Sequence, residues 1–349
     1  MTGPDAPRDG VEGARPGRDA PIGAVAGRGR HRRRRGRGEQ SMVPEAQFSS
    51  YYGRPVLKRP TWKSVDIAGY LYLGGLAGAS SLLAAGAQAT GRPALARTAK
   101  LGAAGAISGS LVALVHDLGR PARFVNMLRV FKPTSPMSVG SWLLAGYAPL
   151  TVAAAATDVA GRYRAVGAAA TAGAAVLGPA VATYTAVLIA DTAVPSWHEG
   201  YREMPFVFAG SGASAAAGLA LACVPAAEAG PARRMALLGA ALEMVGFRLM
   251  KSRMGLAAEP FERGTANRLL RAADSLTVGG AALAAVTGRL RGRGPAMAAG
   301  VALLAGSAAL RFGVFHAGVA SAEDPRYTVV PQRERLRARA GRLDGPRAG

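Results

Sequence analysis

The stretch IAGYLYLGGLAGASSLLAAGAQA, Ile67–Ala89, decides the fold, because it holds no charged side chain and exceeds the run of about 20 apolar residues that a helix needs to cross a bilayer. Lipid offers the backbone no hydrogen-bonding partner, so such a segment must be helical. The further long apolar segments are Ala99–Val115, Val139–Thr157, Ala165–Ala190, Phe206–Ala227 and Met297–Ala320. Two weaker segments are Met235–Met250, which contains ionisable side chains, and the short Ser275–Thr287. The sequence therefore predicts an all-α, polytopic transmembrane helical bundle of about eight helices.

The charged residues lie in short clusters between these segments, although the whole chain carries a formal net charge of +22 and is 50% hydrophobic. A bilayer sorts a sequence in this way, because a charged side chain at the centre of a membrane helix costs roughly 2.5–3.5 kcal/mol on insertion scales. This segregation argues against a soluble enzyme, and the phosphate-loop, HExxH and zinc motifs of soluble enzymes do not occur. The single cysteine, Cys223, cannot hold an iron–sulfur cluster or form an intramolecular disulfide.

Lysine and arginine are divided unequally between the two faces of an eight-helix bundle. Most of the 43 fall on the face that carries both ends of the chain. Because cytoplasmic loops of membrane proteins are enriched in these residues, the distribution places both termini in the cytoplasm. The sequence thus predicts a multi-pass protein of the cell membrane, in contact with membrane lipid.

The two ends of the chain are polar and basic. Residues 1–60 are rich in Gly, Pro and Arg and include the run His31–Arg35, which is typical of a disordered tail. Such a run can bind nucleic acid or anionic lipid, but we interpret it as a solvated tail and predict no nucleic-acid partner. A translation start at Met42 is an alternative beginning for the protein. Residues 326–349 are predicted to form a second basic tail, which leaves 61–325 as the transmembrane domain.

Ionisable residues at or near membrane depth are candidates for function, because placing them in lipid is costly. The residues in such positions are Asp66, His116, Asp117, Asp191, Glu243 and Arg311. Glu243 and Arg311 can equally form a structural ion pair. Of the four histidines, only His116 and His316 fall within the bilayer, which is too few for two haems with paired histidine ligands. We predict no haem, no iron–sulfur cluster and no metal in this chain.

A continuous stretch from the end of the second predicted helix resembles one protein family. It reads HDLGRPARFVNMLRVFKPTSPMSVGSW, residues 116–142, and joins DLGRP to SPMSxGSW. This pattern is similar to that of the NrfD/polysulfide reductase membrane-subunit family. The segments that agree with it elsewhere are YYGRPVLK (51–58), YLYLGGL (70–76), TYTAVLIADT (183–192) and YTVVPQ (327–332). The resemblance therefore spans about Met42 to Arg333.

The resemblance implies an eight-helix membrane subunit that binds a quinone, such as menaquinone, and carries no redox cofactor of its own. Such subunits usually dock a four-cluster ferredoxin-like iron–sulfur subunit, which connects to a molybdopterin catalytic subunit. Members serve polysulfide, nitrite, tetrathionate and formate systems, and some are thought to couple electron transfer to proton movement. Quinone chemistry moves two protons with each two-electron step, so it needs proton donors and acceptors beside the ring.

The family's functional residues carry over to this sequence position by position. Asp117 and Arg120 match the acidic–basic motif at the end of the second helix, where Asp117 would relay protons and Arg120 would fix its charge state. Tyr184 matches a tyrosine near the quinone carbonyl and would donate a hydrogen bond. Asp66 and His116 are the remaining candidates for quinone binding, although Asp66 can also be an interfacial anchor.

The predicted function is that of a membrane-anchoring, quinone-reactive subunit of a formate dehydrogenase-like or polysulfide reductase-like complex. The chain would be either a non-catalytic anchor or the quinone-oxidoreducing part of that enzyme. A transporter or ion-translocating bundle without redox activity is the first alternative, and a purely structural anchor is the second. The basic loop Arg120–Pro136 is either a docking surface for the partner or only a topology signal.

Overall fold

A computed structural model describes residues 56–120, 122–290 and 292–343 of the chain, with side chains described as far as residue 336. The alternative start at Met42 and most of the predicted N-terminal tail lie outside the described residues, as do the last six positions of the predicted C-terminal tail.

Helices account for nearly all of the described part of the chain, and no strand occurs there. In chain order they are α1 Ser64–Ala89, α2 Pro93–Leu118, α3 Ala122–Met127, α4 Pro136–Ala160, α5 Arg164–Ala190, α6 Pro195–Glu199, α7 Met204–Cys223, α8 Gly230–Met254, α9 Gly264–Val286, α10 Gly294–Glu323 and α11 Arg326–Leu343. A 3-10 segment, Gly255–Glu262, joins α8 to α9. Eight of these helices have 20 residues or more; α3 and α6 are short and lie in the connections between them, and α11 follows the last of the eight.

Seven of the long helices in the described residues are long and apolar enough to cross a membrane, which confirms the predicted all-α polytopic bundle. They include α9, which extends the weak segment Ser275–Thr287 at its N-terminal side. The eighth, α8, contains the other weak segment and is long enough, but Glu243 and Arg248 in its interior, together with basic residues near both ends, make it too polar to qualify. It nevertheless packs along α7, as described below.

Prolines and glycines mark the ends of the helices. Pro93 and Pro136 stand in the first turns of α2 and α4, where the missing N–H has no helical acceptor in any case. Gly119 and Gly161 follow the same two helices with φ of 70° and 65°, a left-handed conformation that glycine adopts without steric cost. The glycine of DLGRP thus ends α2.

The small-residue face of α1, which carries Gly74 and Gly78, packs closely against α5. A Cβ atom added at Gly78 would overlap the carbonyl oxygen of Gly178, so the two backbones touch at this point. One turn earlier, Gly74 faces Thr185 of α5 and Ser110 of α2 at ordinary contact distance. Gly105 and Gly109 on α2 are also four residues apart, but only one of them faces another helix. Gly109 contacts α1, whereas a Cβ at Gly105 would have no described atom within 4 Å. The α1 face therefore has a partner helix, α5.

Helices α7 and α8 form an antiparallel hairpin that is also built on glycine. A Cβ at Gly210 would lie 2.7 Å from the carbonyl oxygen of Gly239, and a Cβ at Gly239 would lie 2.8 Å from that of Gly210. Gly246 packs on Val207 one turn toward the start of α7. Close approach of backbones over several turns is the packing mode expected of membrane helices.

The chain divides into two compact units. Thr61–Val319 forms the helical bundle and contains all the residues of the candidate site. The described part of the other unit comprises 56–60 and 320–343. In it, Arg59 Nε and Glu323 Oε1 form an ion pair at 3.0 Å.

Candidate functional site

An acid–histidine contact joins α1 and α2 at the end of the bundle where α1 begins. Nδ1 of His116 lies 2.8 Å from Oδ2 of Asp66. The Asp66 side chain is 13% exposed and that of His116 is 62% exposed. When Nδ1 donates to the carboxylate, Nε2 is left to exchange a proton with water or substrate. The pair therefore connects a mostly buried carboxylate with the surface.

Asp117 lies at the N-terminus of α1. Its Oδ1 accepts the backbone N–H of Lys63, the residue just before α1, over an N–O distance of 3.5 Å. A negative charge is favourable at this position, because the N-terminus of a helix carries a partial positive charge. Arg120 is exposed just beyond the end of α2, and no ion pair joins it to Asp117 among the described residues.

A pair of tyrosines joins α1 and α5 one turn further into the bundle. The hydroxyls of Tyr70 and Tyr184 are hydrogen-bonded to each other. Tyr70 is buried, whereas Tyr184 is only partly buried. The ring of Tyr184 lies against Gly140 of α4, where an added Cβ would overlap it. The glycine of SPMSxGSW therefore makes the space that Tyr184 occupies.

The structure brings three of the five predicted site residues together through α1. Asp66 and Tyr70 are four residues apart and share one face of the helix; the first contacts His116 and the second contacts Tyr184. Asp117 lies next to this group at the start of the helix, and Arg120 stays apart. We refer to Asp66, Tyr70, His116 and Tyr184 as the α1 cluster.

Tyr70 is the member of the α1 cluster that the sequence-based prediction missed. It lies within YLYLGGL, a segment already assigned to the family resemblance. Its spacing from Asp66 was the available signal, since residues four apart share a helix face. This spacing predicts that Tyr70 lies on the same face of α1 as Asp66, but it does not predict that α5 packs against that face.

The SPMS part of the motif holds the loop between α2 and α4. Oγ of Ser138 accepts the N–H of Lys132 at 2.9 Å and donates to the carbonyl of Val130 at 3.0 Å. Oγ of Ser141 reaches the carbonyl of Met127 at 3.5 Å. These bonds tie the loop to the first turn of α4, while its basic side chains remain at the surface.

A buried tryptophan fixes the connection between α5 and α7 at the same end. Trp197 on α6 is fully buried, and its Nε1 donates to the carbonyl of Val314 on α10 at 2.8 Å. Its ring stacks on Trp62 with centroids 6.0 Å apart and packs on Phe315 at 5.7 Å. Asp191, a further candidate from the sequence, is exposed at the end of α5 and lies outside the α1 cluster.

A second polar group lies among α7, α8, α9 and α10. Glu243 is 1% exposed, and its Oε1 accepts from Thr277 Oγ1 at 3.2 Å. Arg311 is fully buried, donates to the carbonyl of Phe208 at 2.8 Å and lies 3.6 Å from the centroid of that ring. Oε2 of Glu243 and both Nε and Nη1 of Arg311 have no hydrogen-bond partner among the described residues. The two charged groups are thus buried close to each other without a direct hydrogen bond.

The described residues contain no group of three His, Cys, Asp or Glu side chains that could hold a metal ion. The α1 cluster offers two phenols, a carboxylate and an imidazole. These groups donate and accept hydrogen bonds and move protons.

A comparison with family profiles identifies the family of the chain. A family profile described as "Polysulphide reductase, NrfD" matches residues 57–321, which is more than half of the chain. A comparison with curated proteins found no match. Membrane subunits of this family generally anchor oxidoreductase complexes, interact with quinones and pair with iron–sulfur and molybdopterin subunits. The chain, a multi-pass helical bundle with the family's motifs at one end, belongs to the NrfD family of polysulphide reductase membrane subunits.

Proposed function

We propose that this chain is the quinone-reactive subunit of a multi-subunit oxidoreductase and passes electrons between menaquinone, or another quinone, and an iron–sulfur partner subunit. A molybdopterin subunit would complete the enzyme. The observation that carries this proposal is the α1 cluster, in which a carboxylate, an imidazole and two phenols meet at one end of the helices. These are the groups that a reaction coupling electrons to protons requires.

Reduction of a quinone to a quinol adds two electrons and two protons, with one proton on each carbonyl oxygen. The partner subunit supplies or removes the electrons, and the residues of this chain handle the protons. The hydroxyl of Tyr184 donates a hydrogen bond to one carbonyl oxygen, and Tyr70 holds that hydroxyl in place. His116 exchanges protons with water at its exposed side and with Asp66 at its buried side.

Asp117 and Arg120 keep the roles that the resemblance implies, as part of the proposal. Asp117 lies beside the start of α1, and its proposed role is to relay protons between the surface and the α1 cluster. The exposed position of Arg120 suits a contact with the partner subunit as well as a long-range effect on the charge of Asp117.

The loop between α2 and α4 is the proposed docking surface for the iron–sulfur partner. It carries exposed apolar side chains, Val125, Val130 and Phe131, among its cations. An exposed apolar patch rimmed by charge is typical of a protein–protein contact. The bonds made by Ser138 hold this surface next to Gly140 and therefore next to Tyr184.

We propose that both termini are cytoplasmic, as the charge distribution indicates. The α1 cluster and the loop between α2 and α4 lie at the end of the bundle where α1 begins. In this orientation the partner subunits would dock from the cytoplasm.

The test measures quinol-dependent reduction of the partner's cluster in the purified complex. Tyr184→Phe is expected to lower turnover about 100-fold, a typical loss for a positioned proton donor. Asp117→Asn is expected to lower it as well. There are two matched controls. Tyr163→Phe lies at the end of the bundle opposite the α1 cluster, and Asp191→Asn changes an exposed carboxylate at the end that holds the cluster. Both variants should keep normal turnover. Copurification of the partner shows that assembly is intact. Normal turnover in both site variants would overturn the assignment of the site.

The buried group of Glu243 and Arg311 favours ion or proton translocation as a second candidate function. Ionisable side chains buried inside a membrane bundle mark ion pathways in many transporters and pumps. This function can accompany quinone chemistry or replace it. Copurification of a cluster-bearing subunit with quinone-linked activity supports the first proposal, whereas ion flux in its absence supports a transporter.

A further inference from the structure

A basic groove lies at the end of the bundle opposite the α1 cluster. It has a volume of about 680 Å³ and opens between the α1–α2 turn and the α4–α5 turn. Its charged lining residues are Arg92, Arg97, Lys100, Asp158 and Arg164. Four cations therefore share the groove with one carboxylate.

The carboxylate is already engaged by two of the cations. Asp158 Oδ1 lies 3.0 Å from Nζ of Lys100, and Asp158 Oδ2 lies 3.9 Å from Nε of Arg97. Lys100 is only 8% exposed and stands two turns inside α2. Its ammonium has three donors, of which the bond to Asp158 uses one. The groove thus keeps a surplus of positive charge and of hydrogen-bond donors.

The position of the groove indicates the form in which an anion would arrive. The groove lies at helix ends, which is headgroup depth for a helix that spans the bilayer. Close in sequence to its charged residues, the side chains of Leu101, Val159 and Val166 on α2, α4 and α5 are 44%, 57% and 56% exposed. A molecule with a phosphate at one end and hydrocarbon at the other would satisfy the cations and cover these apolar side chains at once.

We propose that this groove binds the phosphate of an anionic phospholipid, with Arg97, Lys100 and Arg164 around the headgroup and the acyl chains along α2, α4 and α5. Basic pockets between membrane helices bind anionic headgroups by the same chemistry. Asp158 orients Lys100 and limits the net charge of the site. The proposal does not depend on quinone chemistry at the other end.

The test titrates fluorescent phosphatidylglycerol into the purified protein in detergent with phosphatidylcholine as carrier. Arg97→Gln combined with Arg164→Gln should weaken binding about fivefold for each charge removed. The control combines Arg234→Gln with Arg289→Gln, two exposed arginines at the same end but outside the groove, and should leave binding unchanged. Asp158→Asn should act in the opposite direction and strengthen binding, which a merely misfolded variant cannot do.

Three outcomes would overturn the proposal. An equal loss of affinity in the variant with Arg234→Gln and Arg289→Gln would mean that the whole basic face attracts lipid without a specific site. Displacement of the lipid by an equal concentration of inorganic phosphate would make a free anion the ligand. Equally strong binding of fluorescent phosphatidylcholine would show that the groove does not recognise the net negative charge of phosphatidylglycerol.

Discussion

Tyr70 is the buried member of the α1 cluster and its hydroxyl is bonded to Tyr184, so we expect its effect on a quinone to pass through the Tyr184 hydroxyl. A phenol without its partner rotates about its C–O bond, and a donor that points elsewhere does not stabilise charge on a carbonyl oxygen. In the proposed function Tyr70 is therefore a positioning residue, whereas Tyr184 would touch the substrate.

We expect Tyr70→Phe to lower turnover by about tenfold, less than the loss for Tyr184→Phe, since misplacing a catalytic group costs rate without removing it. The matched control is Tyr147→Phe, which removes a buried hydroxyl bonded to Ser81 at 2.6 Å, away from the site. Quinol oxidation kinetics and thermal unfolding together provide the check. The positioning role of Tyr70 is supported if both variants lose similar stability but Tyr70→Phe loses more kcat than Tyr147→Phe. Equal kcat values in the two variants contradict it.

Sequence reasoning found the charged and phenolic candidates but not their pairing. Asp66, His116 and Tyr184 stand out because bilayer burial makes such side chains costly. The contact of Tyr184 with Gly140 and Tyr70 depends on which helices become neighbours, and no local pattern encodes that. The same limit applies to Arg120 and Asp117, which are close in the motif but form no ion pair among the described residues. Closeness in sequence does not bring two side chains together once Gly119 turns the chain.

Among the helices, α1 contributes most to the site, because its one face carries polar groups near its start and glycines further on. Asp66 and Tyr70 meet α2 and α5, and Gly74 and Gly78 then allow α5 to approach. The distance between α1 and α5 at the glycines sets the geometry of the tyrosine pair. The apolar length of α1 made it easy to predict, but its neighbours could not be read from that length.

Gly78→Ala should destabilise the bundle by about 1–3 kcal/mol, because the added methyl group overlaps the backbone of α5. Gly86→Ala on the same helix, where nothing lies within 4 Å, should instead be neutral or stabilising by up to about 1 kcal/mol, as helix propensity predicts. Thermal unfolding in detergent distinguishes the two. Identical shifts of the melting temperature in both variants would mean that the backbones of α1 and α5 are not in contact at Gly78.

At the scale of the whole molecule, bidentate contact between Arg253 and Glu203 ties the end of α8 to the start of α7. The donor–acceptor distances are 2.7 Å for Nε and 2.6 Å for Nη2, and Nη2 also reaches the carbonyl of Glu199 at 2.7 Å. The hydrogen bonds from Arg253 lower the pKa of Glu203. This carboxylate therefore loses its proton more readily in the folded protein than in the unfolded one.

A lowered pKa stabilises the folded state above the ordinary pKa of the group, and that stability is lost as the pH falls through the folded value. Glu203→Gln should consequently lower the melting temperature at pH 7, and the difference from the natural protein should shrink below about pH 4. Glu262→Gln, which removes a largely exposed ion pair with Lys251, is the control and should change little. A difference that persists unchanged in acid would refute the linkage.

Helix α8 has a consequence for biosynthesis. A segment with arginines and lysines at both ends and a carboxylate in its middle partitions poorly into lipid when it leaves the translocon alone. Its glycines Gly239 and Gly246 pack on α7, and Glu243 accepts a hydrogen bond from Thr277 on α9. We therefore expect nascent α8 to stay beside α7 and to enter the bilayer as part of a hairpin, so that the order of synthesis affects the topology.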